Sequence, residues 1–201
     1  MTPENWKKSY EQEKPPHWAE DSEPSPLAKQ LLVDLPEETK NQILEIGVGN
    51  GRDSIYFAEH NNEVTGIDIA EGAIKLAEEN ATKKGLQDKI NFRIGNAEKL
   101  DFKNESFDAV YSISVLHATM LPDSLGEISR VLKLDGKVII YLYEMTETGG
   151  KKYWFWKKEK IEKLLSDSNL AVEDQWDFFD DRHEGEKTKV LVFKLRKKNK
   201  K

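Results

Sequence analysis

With 201 residues, 37% of them hydrophobic and 34% charged, the chain is long enough for one domain with its own core and too short for two comfortable ones. A formal net charge of -6 speaks against a main task of gripping nucleic-acid phosphates, and the absence of cysteine removes disulfides, thiolate metal sites and cysteine nucleophiles together. The 4 histidines make no metal pattern, no apolar run reaches the ~18 residues of a membrane span, and the acidic start lacks signal-peptide character, so the expectation is a cytoplasmic protein with no metal, nucleic acid or membrane partner.

Residues 1–26 differ from the rest of the chain in their prolines, acids and tryptophans, and read as a cap or lid segment. Within it Trp6 and Tyr10 are one helical turn apart, so a short helix presents both rings on one side before Pro15-Pro16 stops it. Leu27 to Leu35 predicts a helix with Leu27, Leu31, Leu32 and Leu35 on one face, ended before Pro36. From Gln42 onward short apolar runs alternate with helical patterns, the mark of βαβ units and a parallel sheet. The predicted strands are Ile43 to Ile46, Val64 to Ile67, Ile90 to Ile94, Ala109 to Ile113 and Val138 to Leu142. Helices are predicted near Asp53 to His60, Glu71 to Lys84, Pro122 to Leu132 and Lys157 to Asp167. Two more strands, Ala171 to Phe178 and Lys189 to Leu195, flank a polar acidic loop with Gly185 and predict an antiparallel hairpin at one edge. The expected fold is therefore α/β: a Rossmann-like, doubly wound, mostly parallel seven-stranded sheet with a C-terminal antiparallel hairpin and an N-terminal helical cap. Residues 27–196 form its domain, and 197–201 are expected as a basic disordered tail.

The segment Ile43-Leu44-Glu45-Ile46-Gly47-Val48-Gly49-Asn50-Gly51-Arg52-Asp53 runs from a strand through a glycine-rich turn into a helix. Gly47, Gly49 and Gly51 let a ligand approach the backbone, and the helix start offers unpaired N–H groups, which suits a nucleoside ligand. A dinucleotide fingerprint would need its third glycine at position 52, where Arg52 stands, so a nicotinamide cofactor is disfavoured. Asp68 ends the second strand, about 20 residues on, where doubly wound folds place an acid on ribose hydroxyls.

Leu44 through Gly51 resembles motif I of the class I S-adenosylmethionine-dependent methyltransferases, and Val64-Thr65-Gly66-Ile67-Asp68-Ile69 resembles their second-strand motif. The likeness continues in Gly95-Asn96-Ala97-Glu98-Lys99-Leu100, in Phe107-Asp108-Ala109-Val110, and in Leu132-Lys133-Leu134-Asp135-Gly136. Position 96 is more usually aspartate in that family. What the resemblance implies is S-adenosyl-L-methionine as cofactor, with Glu45 and Asp68 at its methionine and ribose ends, Ile69 on adenine, and Asn96 with Ala97 at the adenine edge. Gly47, Gly49, Gly51, Ser112 and Ile113 complete the expected cofactor set.

Tyr10 through Pro15-Pro16-His17-Trp18 and Pro24-Ser25-Pro26-Leu27 is similar to the lead-in of thiopurine and thiol methyltransferases. Gly49-Asn50-Gly51-Arg52-Asp53-Ser54-Ile55-Tyr56-Phe57-Ala58 resembles the tellurite-resistance methyltransferases. The resemblance implies a small-molecule acceptor, leaning to a thiol or another soft sulfur, selenium or tellurium nucleophile, with Trp18, His17 and Tyr10 lining its pocket. The alternatives are methylation of oxygen, nitrogen or carbon in a small metabolite, and a cofactor-binding module that transfers nothing. His117, after the fourth strand, is the candidate base for an oxygen or nitrogen acceptor; a thiolate needs none. A monomer or homodimer is expected.

Overall fold

Each apolar run expected as a strand lies in one sheet of the structure, a computed structural model that describes residues 3–12, 16, 19–144, 147–148, 151–152, 156–180 and 188–198. The strands are β1 (Gln42–Ile46), β2 (Glu63–Asp68), β3 (Ile90–Ile94), β4 (Phe107–Ile113), β5 (Leu132–Tyr143), β6 (Leu170–Asp180) and β7 (Thr188–Lys197), in the order β3-β2-β1-β4-β5-β7-β6. Strands β1 to β5 are parallel, and β7 runs antiparallel to both β5 and β6. A separate short ribbon pairs Glu147–Thr148 with Lys151–Lys152.

Helices α1 (Pro3–Ser9) and α2 (Pro26–Val33) precede β1; α3 (Arg52–Glu59), α4 (Glu71–Lys83) and α5 (Leu121–Val131) form the crossovers from β1 to β2, β2 to β3 and β4 to β5, residues 95–106 join β3 to β4 without an α-helix, and α6 (Lys158–Asp167) leads into β6. Burial of both sheet faces explains why the central strands read as continuous apolar runs rather than alternating ones. On one face α5 and α6 bring Leu121, Leu125, Ile128, Ile161 and Leu165 onto Leu44, Val110, Ile140 and Phe193. On the other, α2 and α3 bring Leu31, Ile55 and Phe57 onto Ile43, Tyr111 and Tyr141. Each fully buried leucine or isoleucine contributes about 1.5–3 kcal/mol of apolar transfer.

Several boundaries differ from the sequence expectation, each for a local reason. Helix α1 ends at Ser9, so Tyr10 sits in the closing turn, its N–H donating to Lys7 O at 3.1 Å. Helix α2 starts at Pro26, whose missing N–H costs nothing at a helix start, with Ser25 capping Leu27 N at 3.1 Å. It stops at Val33, where Asp34 turns to pair with Lys194 of β7 at 2.6 Å. Strand β6 extends two residues past Phe178 to Asp180. Lys197, expected to begin the basic tail, instead ends β7, 5% exposed, because its ammonium meets Leu132 O at 2.6 Å and Glu105 at 3.1 Å. Among the described residues no helix is long and apolar enough to cross a membrane.

Candidate active site

The carboxyl ends of β1 to β5 share one sheet edge, and the connections from β1 and β4 diverge there, opening the crevice where doubly wound folds bind ligands. The expected cofactor residues lie along that edge. Gly47, Gly49 and Gly51 carry φ of 84°, 55° and 79°, in the left-handed region that side chains disfavour. A Cβ on Gly47 would meet Val115 Cγ2 at 2.0 Å, so the turn and the loop after β4 pack together only because that side chain is missing.

Asp68 is the hinge of the cradle. Its Oδ2 accepts from Gly49 N at 3.2 Å and its Oδ1 from Ala70 N at 3.0 Å, so one carboxylate joins the glycine turn to the start of α4. With the Ile69 amide bearing on it as well, the carboxylate meets three backbone N–H groups and keeps part of its roughly four lone-pair sites for a further donor. Burial pushes its pKa up, against the lowering effect of the amides of Ala70, Gly49 and Ile69. Ile69 beside it is half-buried, Ala97 is buried and Asn96 is exposed, its Oδ1 accepting from Glu98 N at 2.9 Å. The loop bearing Asn96 and Ala97 is fixed to α5: Glu98 accepts from Met120 N at 2.9 Å and Glu127 from Leu100 N at 2.7 Å. A turn, an acid with spare lone pairs and an exposed amide on one edge form a donor and acceptor set that fits an adenosyl group.

Glu45 lies deeper than the sequence suggested. It is 5% exposed and accepts a hydrogen bond from Ser54 Oγ, beneath the turn. Burial, reinforced by the neighbouring Asp53, holds its pKa well above the ordinary carboxylate value. Asp53 is itself buried, accepting from Ser25 N at 2.7 Å and Tyr111 OH at 3.1 Å. Ser112 is fully buried and its hydroxyl closes on Ile46 O at 3.0 Å, while Ile113 is half-buried.

The N-terminal segment is bound to this edge through side chains the sequence did not single out. Asn50 Nδ2 donates to Ala19 O at 2.9 Å and Asp21 O at 2.7 Å, and Arg52 pairs with Asp21 at 2.6 Å. Tyr10, expected in the substrate pocket, lies over the cofactor turn: a Cβ on Gly49 would meet its Oη at 3.2 Å, and one on Gly72 its carbonyl oxygen at 2.6 Å. His17 and Trp18 lie outside the described residues.

His117 occupies the short 3-10 turn Leu116–Ala118 after β4, 7% exposed, its ring edge-on to Tyr143 at 4.8 Å between centroids. Tyr143 OH in turn donates to Asp180 Oδ2 at 2.9 Å, and Tyr141 OH donates to the same oxygen. The alternation of Tyr141 and Tyr143, two apart on β5, was a readable sign that both rings share a face; their meeting with Asp180, 37 residues from Tyr143, was not.

Strand order, glycine turn and acid together make a doubly wound, mostly parallel α/β fold closed by an antiparallel hairpin. Residues 44–140 match the family described as methyltransferase domain. Over 118 residues the chain is 32% identical to 27-O-demethylrifamycin SV methyltransferase of Amycolatopsis mediterranei, covering 57% of this chain and 43% of that protein. Over 110 residues it is 38% identical to a sterol 24-C-methyltransferase of Gibberella zeae, covering 53% and 28%. The chain thus spans less than half the length of these relatives. The crystal structure of the [4+2]-cyclase SpnF superposes with a TM-score of 0.74 at 18% identity, covering 87% of this chain and 80% of that one, a likeness of fold.

Proposed function

We propose that this protein is an S-adenosylmethionine-dependent methyltransferase acting on a small molecule. The observation that carries the proposal is Asp68, which ties the glycine turn to α4 at the switch point and keeps acceptor capacity beyond the backbone amides it binds. In this reading Asp68 takes the ribose hydroxyls, Ile69 packs on adenine, and Asn96 with Ala97 meets the adenine edge. Gly47, Gly49 and Gly51 let the cofactor lie close to the backbone, with Ser112 and Ile113 behind it. Glu45 serves the methionine end from below, through the turn it supports. When bound, the cofactor supplies an activated methyl group, so the chain's own work is to align the acceptor, exclude water and dispose of a proton. Residues 1–26 serve as the lid, through the Asn50 and Arg52 contacts.

For the acceptor we propose a protic oxygen or nitrogen. Supporting this, His117 packs against Tyr143 in the turn after β4, and an imidazole there suits removal of a proton from an oxygen or nitrogen acceptor. The leaning toward sulfur-group acceptors drawn from the resemblances of Tyr10 to Leu27 and of Gly49 to Ala58 is not matched by the two relatives above, whose names specify a demethylrifamycin and carbon 24 of a sterol. Calorimetric titration with S-adenosylmethionine and S-adenosylhomocysteine, followed by a transfer screen over phenol, amine, thiol, selenite and tellurite, tests both levels. Micromolar binding with transfer to phenol or amine is expected. Transfer to the sulfur group alone reverses the acceptor assignment, and no cofactor binding removes the whole proposal.

A further inference from the structure

Three hydroxyls and a carboxylate form one chain at the carboxyl ends of β4 and β5. Ser114 Oγ donates to Tyr143 Oη at 3.3 Å, Tyr143 donates to Asp180 Oδ2 at 2.9 Å, and Tyr141 donates to that oxygen from the other side. Direction along the chain is fixed by proton counting. Asp180 Oδ2 accepts from both tyrosines, and each hydroxyl has a single proton. Tyr143 gives its proton to Asp180, so toward Ser114 its oxygen can only accept. Ser114 therefore turns its own proton inward and leaves lone pairs facing out. Burial raises the pKa of both tyrosines, so neither gives up its proton at neutral pH.

The outer end of the chain is also its accessible end. Tyr141, Tyr143 and Asp180 are 2%, 3% and 5% exposed, whereas Ser114 is half-buried just past β4. Ser114 holds φ 59°, a left-handed conformation uncommon for a residue with a side chain and typical of strained functional turns.

Resting on the methyltransferase assignment, we propose that Ser114 contacts the methyl acceptor, and that Asp180, acting through Tyr143 as a positioning residue, keeps Ser114 a hydrogen-bond acceptor only. The site then selects a neutral O–H or N–H acceptor and rejects a thiolate, whose charge meets lone pairs.

The test is a titration followed by NMR on the full chain saturated with S-adenosylhomocysteine, using as probes phenol, anisole and thiophenol held as its anion. Phenol is expected to bind about tenfold more tightly than either other probe, the worth of one well-formed hydrogen bond. Asp180→Asn introduces an amide that can donate, so the chain can run in reverse; the preference should collapse to within about threefold. Ser114→Ala should weaken phenol about tenfold and leave anisole unchanged, a result that stands even if Asp180→Asn proves unfolded by thermal melting. Equal binding of the three probes, a preference for the thiolate, no probe binding, or an Asp180→Asn protein with the preference intact overturns the inference. Failure of S-adenosylhomocysteine to bind overturns the assignment beneath it, whereas cofactor binding without selection overturns this step alone.

Discussion

Asp68 fastens the glycine turn to α4 with one carboxylate that keeps acceptor capacity beyond its backbone partners. Asp68→Ala removes both, and a charged hydrogen bond is worth about 1.5–3 kcal/mol, so S-adenosylmethionine affinity measured by calorimetry is expected to fall by about 10- to 100-fold. Unchanged affinity would displace the ribose from this position. Glu45 presents the opposite balance. Burial and Asp53 raise its folded-state pKa well above the ordinary 4.5, so over the range between the two values the folded protein holds a proton that the unfolded chain has lost. Stability contributed in this way is present at low pH and declines as pH rises through that window. Glu45→Gln keeps an acceptor for Ser54 without the charge, so its denaturation midpoint should vary less between pH 5 and 8 than that of the parent. A residual slope of the same sign is expected from Asp53, whose pKa burial also raises.

At the scale of elements, the contact between the N-terminal segment and the turn rests on Asn50. Its amide spans two carbonyls, and its Oδ1 accepts from Arg52 N at 3.2 Å, at the start of a helix whose cap residue Gly51 has no side chain to offer. Asn50→Ala should cost about 1–3 kcal/mol and quicken protease cleavage between residues 19 and 25, while far-UV circular dichroism stays the same. Cleavage at the parental rate would show that the segment is held by other means. The sheet was readable because its strands are buried on both faces, so apolar runs and glycine turns sufficed to locate them. The glycine turn and Asp68 were readable because both lie within one βαβ unit. What the sequence did not disclose was long-range polar pairing: Asp21 with Arg52, Ser25 with Asp53 and Asp180 with two tyrosines have no period and no motif. Asp180 sat in an acidic stretch that reads as solvated loop, and only its burial at the end of β6 sets it apart.

For the molecule as a whole, the cradle is assembled from separate elements: the turn after β1, the acid ending β2, the loop after β3 clamped to α5, and the segment held by Asn50. A ligand that touches all of them binds the folded chain and not the unfolded one, so it stabilises by mass action. At a concentration 100 times its dissociation constant, S-adenosylhomocysteine should add about 2.7 kcal/mol, which for a chain of this size is a rise in melting temperature of roughly 5–10 °C. The same ratio of ligand to dissociation constant must give the same gain in Asp68→Ala once its weaker affinity is allowed for, since the gain depends on occupancy alone. Asn50→Ala separates closure of the N-terminal segment from simple packing. If the segment closes over the bound cofactor, part of the binding free energy in this variant is spent re-ordering it, and its shift at the parental ligand concentration will be smaller. If the segment only packs against the turn, the variant will melt lower without ligand and gain the full increment with it.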